Sequence, residues 1–250
     1  MIFLEPSGNM WENSSGDAFS AARNDSLAEQ IHGQLSRMIL SGGFAPDDRI
    51  NLRQLARDFE VSVTPVREAV LRLASNGILQ TTGRNAIIIP SRQQDEIREI
   101  FQIRKTLEGE LAEGAAAILT PEDIDALRKM QADFIIALSD KDYREALRLN
   151  ANLHFRIYGA AKMPIRLQIV ESLWLRIGPT LRNMYPILTQ HRADSSPHDQ
   201  ILTCASTGDP GGLRAAVVAD LNRSEEALLE YLLRAREAQI LVSATQGGKR

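Results

Sequence analysis

The stretch Leu52-Arg53-Gln54-Leu55-Ala56-Arg57-Asp58-Phe59-Glu60-Val61-Ser62-Val63-Thr64-Pro65-Val66-Arg67-Glu68-Ala69-Val70-Leu71-Arg72-Leu73-Ala74-Ser75-Asn76-Gly77 decides the fold of the first third of this chain. Leu52, Leu55 and Phe59 recur at helical spacing, with Ala56 at a close-approach position, which predicts a short amphipathic helix. A turn falls at Glu60-Val61-Ser62. A second helix then starts with Ser62 or Thr64 as its N-cap and Pro65 in its first turn, where the missing N–H leaves no bond unmade. Val66, Val70 and Leu73 form its buried stripe, and Asn76-Gly77 ends it with a residue suited to left-handed backbone. Directly behind it, Ile78 to Thr82 and Ala86 to Ile89 predict two strands around Gly83-Arg84-Asn85.

Two helices, a tight turn and a hairpin wing present the second helix to a DNA major groove by its N-terminal end. That end carries Ser62, Thr64 and Arg67, and Arg53 lies nearby on the preceding helix. Arginine suits a bidentate contact with guanine or a phosphate, while hydroxyls and helix N-terminal amides hold phosphates and fix the register. Gly83 at the wing tip lets backbone approach the minor groove, with Arg84 beside it. A helical hairpin used only for packing is the plain alternative; the Thr64-Pro65-Val66-Arg67-Glu68 helix start and the hairpin behind it favour double-stranded DNA as the partner.

Residues from about Leu27 to Pro90 resemble the winged helix-turn-helix domain of the GntR family of bacterial transcription regulators. The resemblance rests on Ile39 through Ile50, on Leu52-Arg53-Gln54-Leu55-Ala56 and on Val61 through Val70. It implies operator contacts from Arg53, Thr64, Arg67 and Gly83. Val63 stands where many relatives carry Arg, so one contact of the family pattern is absent here.

With 250 residues and 44% hydrophobic content, the chain is long enough for two domains. Its net charge of −3 argues against a general nucleic-acid binder, but Arg49, Arg53, Arg57, Arg67, Arg72 and Arg84 concentrate positive charge in the winged segment. The single cysteine, Cys204, fits a reducing cytoplasm, and no apolar run approaches the ~20 residues of a membrane span. Met1 to Pro6 lacks the basic start of a secretory signal. Residues 1–24 read as a disordered tail, 25–90 as the winged domain, 91–242 as an all-helical effector-binding and dimerisation domain, and 243–250 as a flexible tail.

After Pro90 the punctuation predicts six helices. Ser91 with Gln94 reads as a capping box, and Thr120-Pro121 opens the second helix. Asp140 is expected to cap the third, and Lys162-Met163-Pro164 separates it from the fourth. Ser195-Ser196-Pro197 opens the fifth, and Gly208-Asp209-Pro210 the sixth, running to about Val242. The fold class is therefore mainly α: an N-terminal winged helix-turn-helix domain and a C-terminal all-α antiparallel bundle.

Polar residues fall on the apolar stripes of that bundle. Arg104 shares a face with Ile97, Ile100, Phe101, Leu107 and Leu111; His154 lies among Leu147, Ala151 and Tyr158, with Asn150 one turn before it. His198 sits beside Ile201 and Ala205, and Asp220 runs alongside Val217, Leu221 and Leu228. Buried polar groups need partners. A divalent metal (zinc, nickel or manganese) is one partner for Asn150, His154, His198 and Asp220, and Arg104 is a candidate for holding an effector carboxylate. Each has a plain reading as well: hydrogen-bonded core histidines, an Arg104–Glu108 pair, and Asp220 at a surface edge. His191 is near enough to His198 to replace it, and Trp174, Arg176, Arg182 and Tyr185 are candidates for lining a pocket.

Residues from about Ile97 to Leu233 resemble the FCD effector domain of FadR-type GntR regulators, and with six helices the shorter VanR-like group. The carrying motifs are Ile103-Arg104-Lys105-Thr106-Leu107-Glu108, Asn150-Ala151-Asn152-Leu153-His154-Phe155 and His198-Asp199-Gln200-Ile201-Leu202 leading to Gly208-Asp209. The resemblance implies a metal on an Asp or Asn and three histidines, with a carboxylate effector above it. Asn150, His154 and His198 match three positions; Asp220 stands where the family carries histidine. The function expected is a cytoplasmic, ligand-responsive repressor bound to an inverted repeat as a homodimer, and not an enzyme. The rivals are a DNA-binding protein whose helical domain only dimerises, and a metal-dependent hydrolase.

Overall fold

Helix α1 (Leu27–Leu40) begins where Ser26 and Glu29 satisfy each other's backbone: Glu29 N donates to Ser26 Oγ at 3.3 Å and Ser26 N to Glu29 Oε2 at 2.9 Å. The computed structural model describes residues 26–83, 86–189 and 197–247, so the expected tail at 1–24, the wing residue Arg84 and His191 lie outside the described residues. Strand β1 (Arg49–Ile50) follows α1, then α2 (Leu52–Asp58), capped by Asn51 Oδ1 accepting from Gln54 N at 3.1 Å. Glu60 turns the chain with a φ of 56°, and α3 (Val63–Ser75) starts after Ser62. The end of α3 is a Schellman motif: Gly77 N donates to Ala74 O and Ile78 N to Leu73 O, with Gly77 at φ 69°.

The wing is a three-stranded sheet in the order β1-β3-β2, where β2 is Gln80–Thr81 and β3 is Ile87–Ile88. Both pairings are antiparallel, Ile88 facing Arg49 on one side and Gln80 on the other. The two expected strands are present but shorter, and β1 was not read in the sequence, because two residues carry no alternation. Ile31, Leu35, Ile39, Val66, Val70, Leu73 and Ile89 form the buried core here.

The rest is helical: α4 (Gln94–Ala115), α5 (Pro121–Ser139), α6 (Tyr143–Ala160), α7 (Pro164–Leu181), a 3-10 turn and the four-residue α8 (Tyr185–Leu188), α9 (Pro197–Thr207) and α10 (Pro210–Gly247). These are the six long helices expected, with α8 added between the fourth and fifth. Two caps differ from expectation. Ser91 does not cap α4, because its hydroxyl donates to Asp47 Oδ1 at 2.7 Å; Gln93 takes the cap position and its N–H donates to Glu96 Oε2. Asp140 ends α5 rather than starting α6: Lys141 turns at φ 59°, and Asp142 Oδ1 caps α6 by accepting from Glu145 N at 3.0 Å. Helix α10 also continues past Val242 to Gly247.

The helical half is clamped onto the end of α3. Arg92 donates to Gly77 O at 2.6 Å, and Arg176 on α7 donates to Asn76 O at 2.8 Å. A Cβ on Gly178 would stand 3.2 Å from Leu40 Cα, so α7 crosses the end of α1 at backbone contact. Gly77→Ala forces left-handed backbone on a residue with a Cβ and sets that Cβ 3.2 Å from the Arg176 guanidinium. We expect a loss of about 1–2 kcal/mol, read as a lower denaturation midpoint; an unchanged midpoint contradicts this account of the clamp.

Candidate nucleic-acid surface and metal centre

Helix α3 offers its N-terminal end to solvent. Ser62, Thr64 and Arg67 are exposed there, and Arg53 is exposed on α2. Ser62 takes the N-cap position but its side chain makes no cap bond, so its hydroxyl and the first amides of α3 are left for another acceptor. Among the described residues no carboxylate pairs with Arg53 or Arg67. Gly83 is exposed at the wing, and a Cβ there would meet nothing within 4 Å. Leu71, 52% exposed, lies one turn beyond Arg67 on α3. It is a large aliphatic residue off the buried stripe of Val66, Val70 and Leu73.

The second site lies inside the bundle. His154 on α6, His198 on α9 and Asp220 on α10 each bring a ligand atom within 4.8 Å of the others. His154 Nε2 is 3.2 Å from Asp220 Oδ2, and His198 Nε2 is 3.9 Å from Asp220 Oδ1. Both rings are held from behind: His154 Nδ1 lies 2.9 Å from Tyr158 Oη, and His198 Nδ1 2.7 Å from Gln131 Oε1. That amide oxygen accepts, so a proton on Nδ1 completes the contact and leaves Nε2 as the His198 atom turned toward Asp220. Asn150 is buried one turn before His154 on the same helix.

These residues fit a divalent ion. His154 Nε2 is buried and faces the Asp220 carboxylate at 3.2 Å, a pair that either a proton on that nitrogen or a cation between the two satisfies. Burial lowers the His198 imidazole to about 4, with the Asp220 charge opposing that and His154 adding to it, so the ring is neutral and ready to ligate near pH 7. Burial pushes the Asp220 carboxyl up, but a hydrogen bond from His154 and the electrostatic pull of His198, His154 and Arg104 outweigh it and hold the group below its ordinary value. Two imidazoles and one carboxylate form a mixed nitrogen and oxygen set suited to zinc, nickel or manganese.

Arg104 departs from the expected effector clamp. It is 1% exposed, its Nε donates to Glu108 Oε1 at 2.6 Å, and its guanidinium stacks 4.2 Å over the Trp174 ring. This chain's own carboxylate therefore occupies it, at the i, i+4 spacing of α4. Arg176 also departs from a pocket role, since it faces the winged domain. Trp174 and Tyr185 are buried near the cluster, and the Arg182 side chain lies outside the described residues.

A helix-turn-helix with a wing, joined to a helical domain with a buried polar cluster, defines a DNA-binding transcription regulator. Residues 27–89 match the bacterial regulatory proteins of the gntR family, and residues 99–223 match the FCD domain. The chain belongs to the GntR family and carries its FCD effector domain. It is 29% identical to the HTH-type transcriptional regulator McbR of Escherichia coli K12 over 82% of this chain and 93% of McbR. It is 35% identical to the uncharacterized HTH-type transcriptional regulator YdhC of Bacillus subtilis over 50% of this chain and 56% of YdhC. The solved structure of E. coli McbR/YncC superposes with a TM-score of 0.76 at 28% identity, covering 82% of this chain and 98% of that one. These relatives are regulators and not enzymes, which removes the hydrolase reading. Among the described residues no helix is long and apolar enough to cross a membrane.

The His198 shift fixes a pH dependence. The unfolded imidazole takes a proton near 6.5 and the folded one only near 4. The stabilisation is full above pH 6.5 and is lost as pH falls toward 4, about 3 kcal/mol across the window. The melting temperature of metal-free protein is expected to drop across that range, and His198→Asn to flatten the drop. An equal drop in the variant contradicts the assignment.

Proposed function

We propose that this chain is a cytoplasmic, ligand-responsive repressor that binds an inverted-repeat operator as a homodimer. The DNA contacts are Arg53, Ser62, Thr64, Arg67, Gly83 and Arg84. Asn150, His154, His198 and Asp220 hold a divalent metal, in the manner of the FadR subfamily. A small carboxylate, such as a sugar acid or organic acid, binds at that metal. The observation that carries the sensing half is the convergence of His154, His198 and Asp220 inside the bundle, with a ligand atom of each within 4.8 Å of the others.

A bound divalent ion supplies a Lewis-acidic anchor for a carboxylate. The chain's own residues do the rest. Helix α7 places Trp174 with its ring 5.8 Å from that of His154 and, two residues on, Arg176 against the end of α3. A ligand that prefers one setting of α7 shifts the population of winged-domain positions, provided its affinity differs between the two settings. Support for a homodimer comes from α4 and α7, joined by an Arg166–Glu110 pair at 2.9 Å. Their outward faces expose Ile103 at 39%, Ile165 at 76% and Ile169 at 45%. A two-fold dimer matches a palindromic operator.

Two measurements test this. Arg67→Ala is expected to cost about 1–3 kcal/mol in each half-site and to remove most of the preference for operator over random DNA, with fold and dimer intact; normal operator affinity in that variant defeats the DNA assignment. Metal analysis of untagged protein purified without chelator is expected to give one ion per chain, lost in His154→Ala. An empty wild-type protein after incubation with zinc, nickel and manganese defeats the metal assignment.

A further inference from the structure

We infer that Glu108 and Tyr158 form a proton-ordering relay that positions His154 for metal, a role that rests on the metal reading above. The relay begins with Glu108, whose side chain is fully buried. Its carboxylate accepts from Arg104 Nε at 2.6 Å, from Trp174 Nε1 at 3.0 Å and from Tyr158 Oη at 2.7 Å. Paired with a guanidinium, that carboxylate has acceptors only and no proton to give. The single hydroxyl proton of Tyr158 is therefore committed to Glu108.

The consequence passes to the next atom. Tyr158 Oη lies 2.9 Å from His154 Nδ1 and, with its proton used, can only accept. Nδ1 must then carry a proton, and Nε2 is the atom turned to Asp220 at 3.2 Å. The chain Arg104–Glu108–Tyr158–His154 thus runs in one direction and ends at the ligand atom. It also assigns Arg104 and Glu108 work that neither does as an effector clamp: together they set the tautomer of a histidine on another helix. Tyr158 and Glu108 are positioning residues, since neither touches the metal itself.

The test uses the full chain and zinc alone. Zinc affinity is measured by competition with a chromophoric chelator for wild type, Tyr158→Phe and the control Tyr143→Phe, which deletes a hydroxyl from the same helix without touching the relay. Tyr158→Phe is expected to weaken zinc about 10–100-fold, and Tyr143→Phe to leave it unchanged. Imidazole nitrogen NMR of metal-free protein supplies the readout that packing loss does not move: His154 Nδ1 protonated in wild type, with the Nε2–H form appearing in Tyr158→Phe. Equal zinc affinity in Tyr158→Phe, or an unprotonated His154 Nδ1 in wild type, overturns the relay. The wild-type spectrum decides the point even if Tyr158→Phe fails to fold. Wild-type protein that takes up no zinc contradicts the metal reading instead, and the Nδ1 signal still judges the relay separately.

Discussion

A carboxylate with no access to water must have its lone pairs filled by the protein, and Glu108 imposes that demand on three helices at once. Arg104 comes from the same helix, Tyr158 from α6 and Trp174 from α7. Breaking such a buried pair by removing one partner typically costs about 3–5 kcal/mol, so the arrangement fixes how α4, α6 and α7 meet. Their meeting sets where His154 stands, and with it the separation from His198 on α9 and Asp220 on α10. The polar cluster is thus built from the inside of the bundle outward, with the ligand atoms at its end.

The same helix that closes this network reaches the DNA-binding half. Trp174 and Arg176 lie two residues apart on α7, the first turned to Glu108 and the second to the carbonyl that ends α3. Arg92 adds a second bond there, to Gly77 O. Carbonyls at a helix end lack intrahelical partners, so the effector half completes the hydrogen bonding of the recognition helix. This gives a short path of contacts from the cluster to the end of α3.

Much of this was legible in the sequence where the signal is local. Gly77, Pro65 and the Val66-Val70-Leu73 stripe identify α3 without help from the rest of the chain, and Thr120 with Pro121 marks α5. His154 and His198 stand out as polar groups on apolar stripes, and Asp220 was found on its stripe in the same way. What failed was settled by tertiary or backbone detail. Ser91 is drawn away from its helix by Asp47, a residue 44 positions earlier. Asp140 and Asp142 are equal candidates as letters, and the left-handed turn at Lys141 decides between them. Arg104 was seen as a buried charge, but its partners Trp174 and Tyr158, through Glu108, come from helices whose packing no spacing rule supplies.

A cation held by this cluster at the end of the relay would be visible crystallographically. Anomalous diffraction from crystals grown with metal, recorded on both sides of that metal's absorption edge, addresses it most directly. A bound cation gives a single peak per chain, about 2.0–2.2 Å from His154 Nε2, His198 Nε2 and an Asp220 oxygen. A peak at some other place, or density that places a water or a proton-bridged His154–Asp220 pair there in metal-soaked crystals, contradicts it.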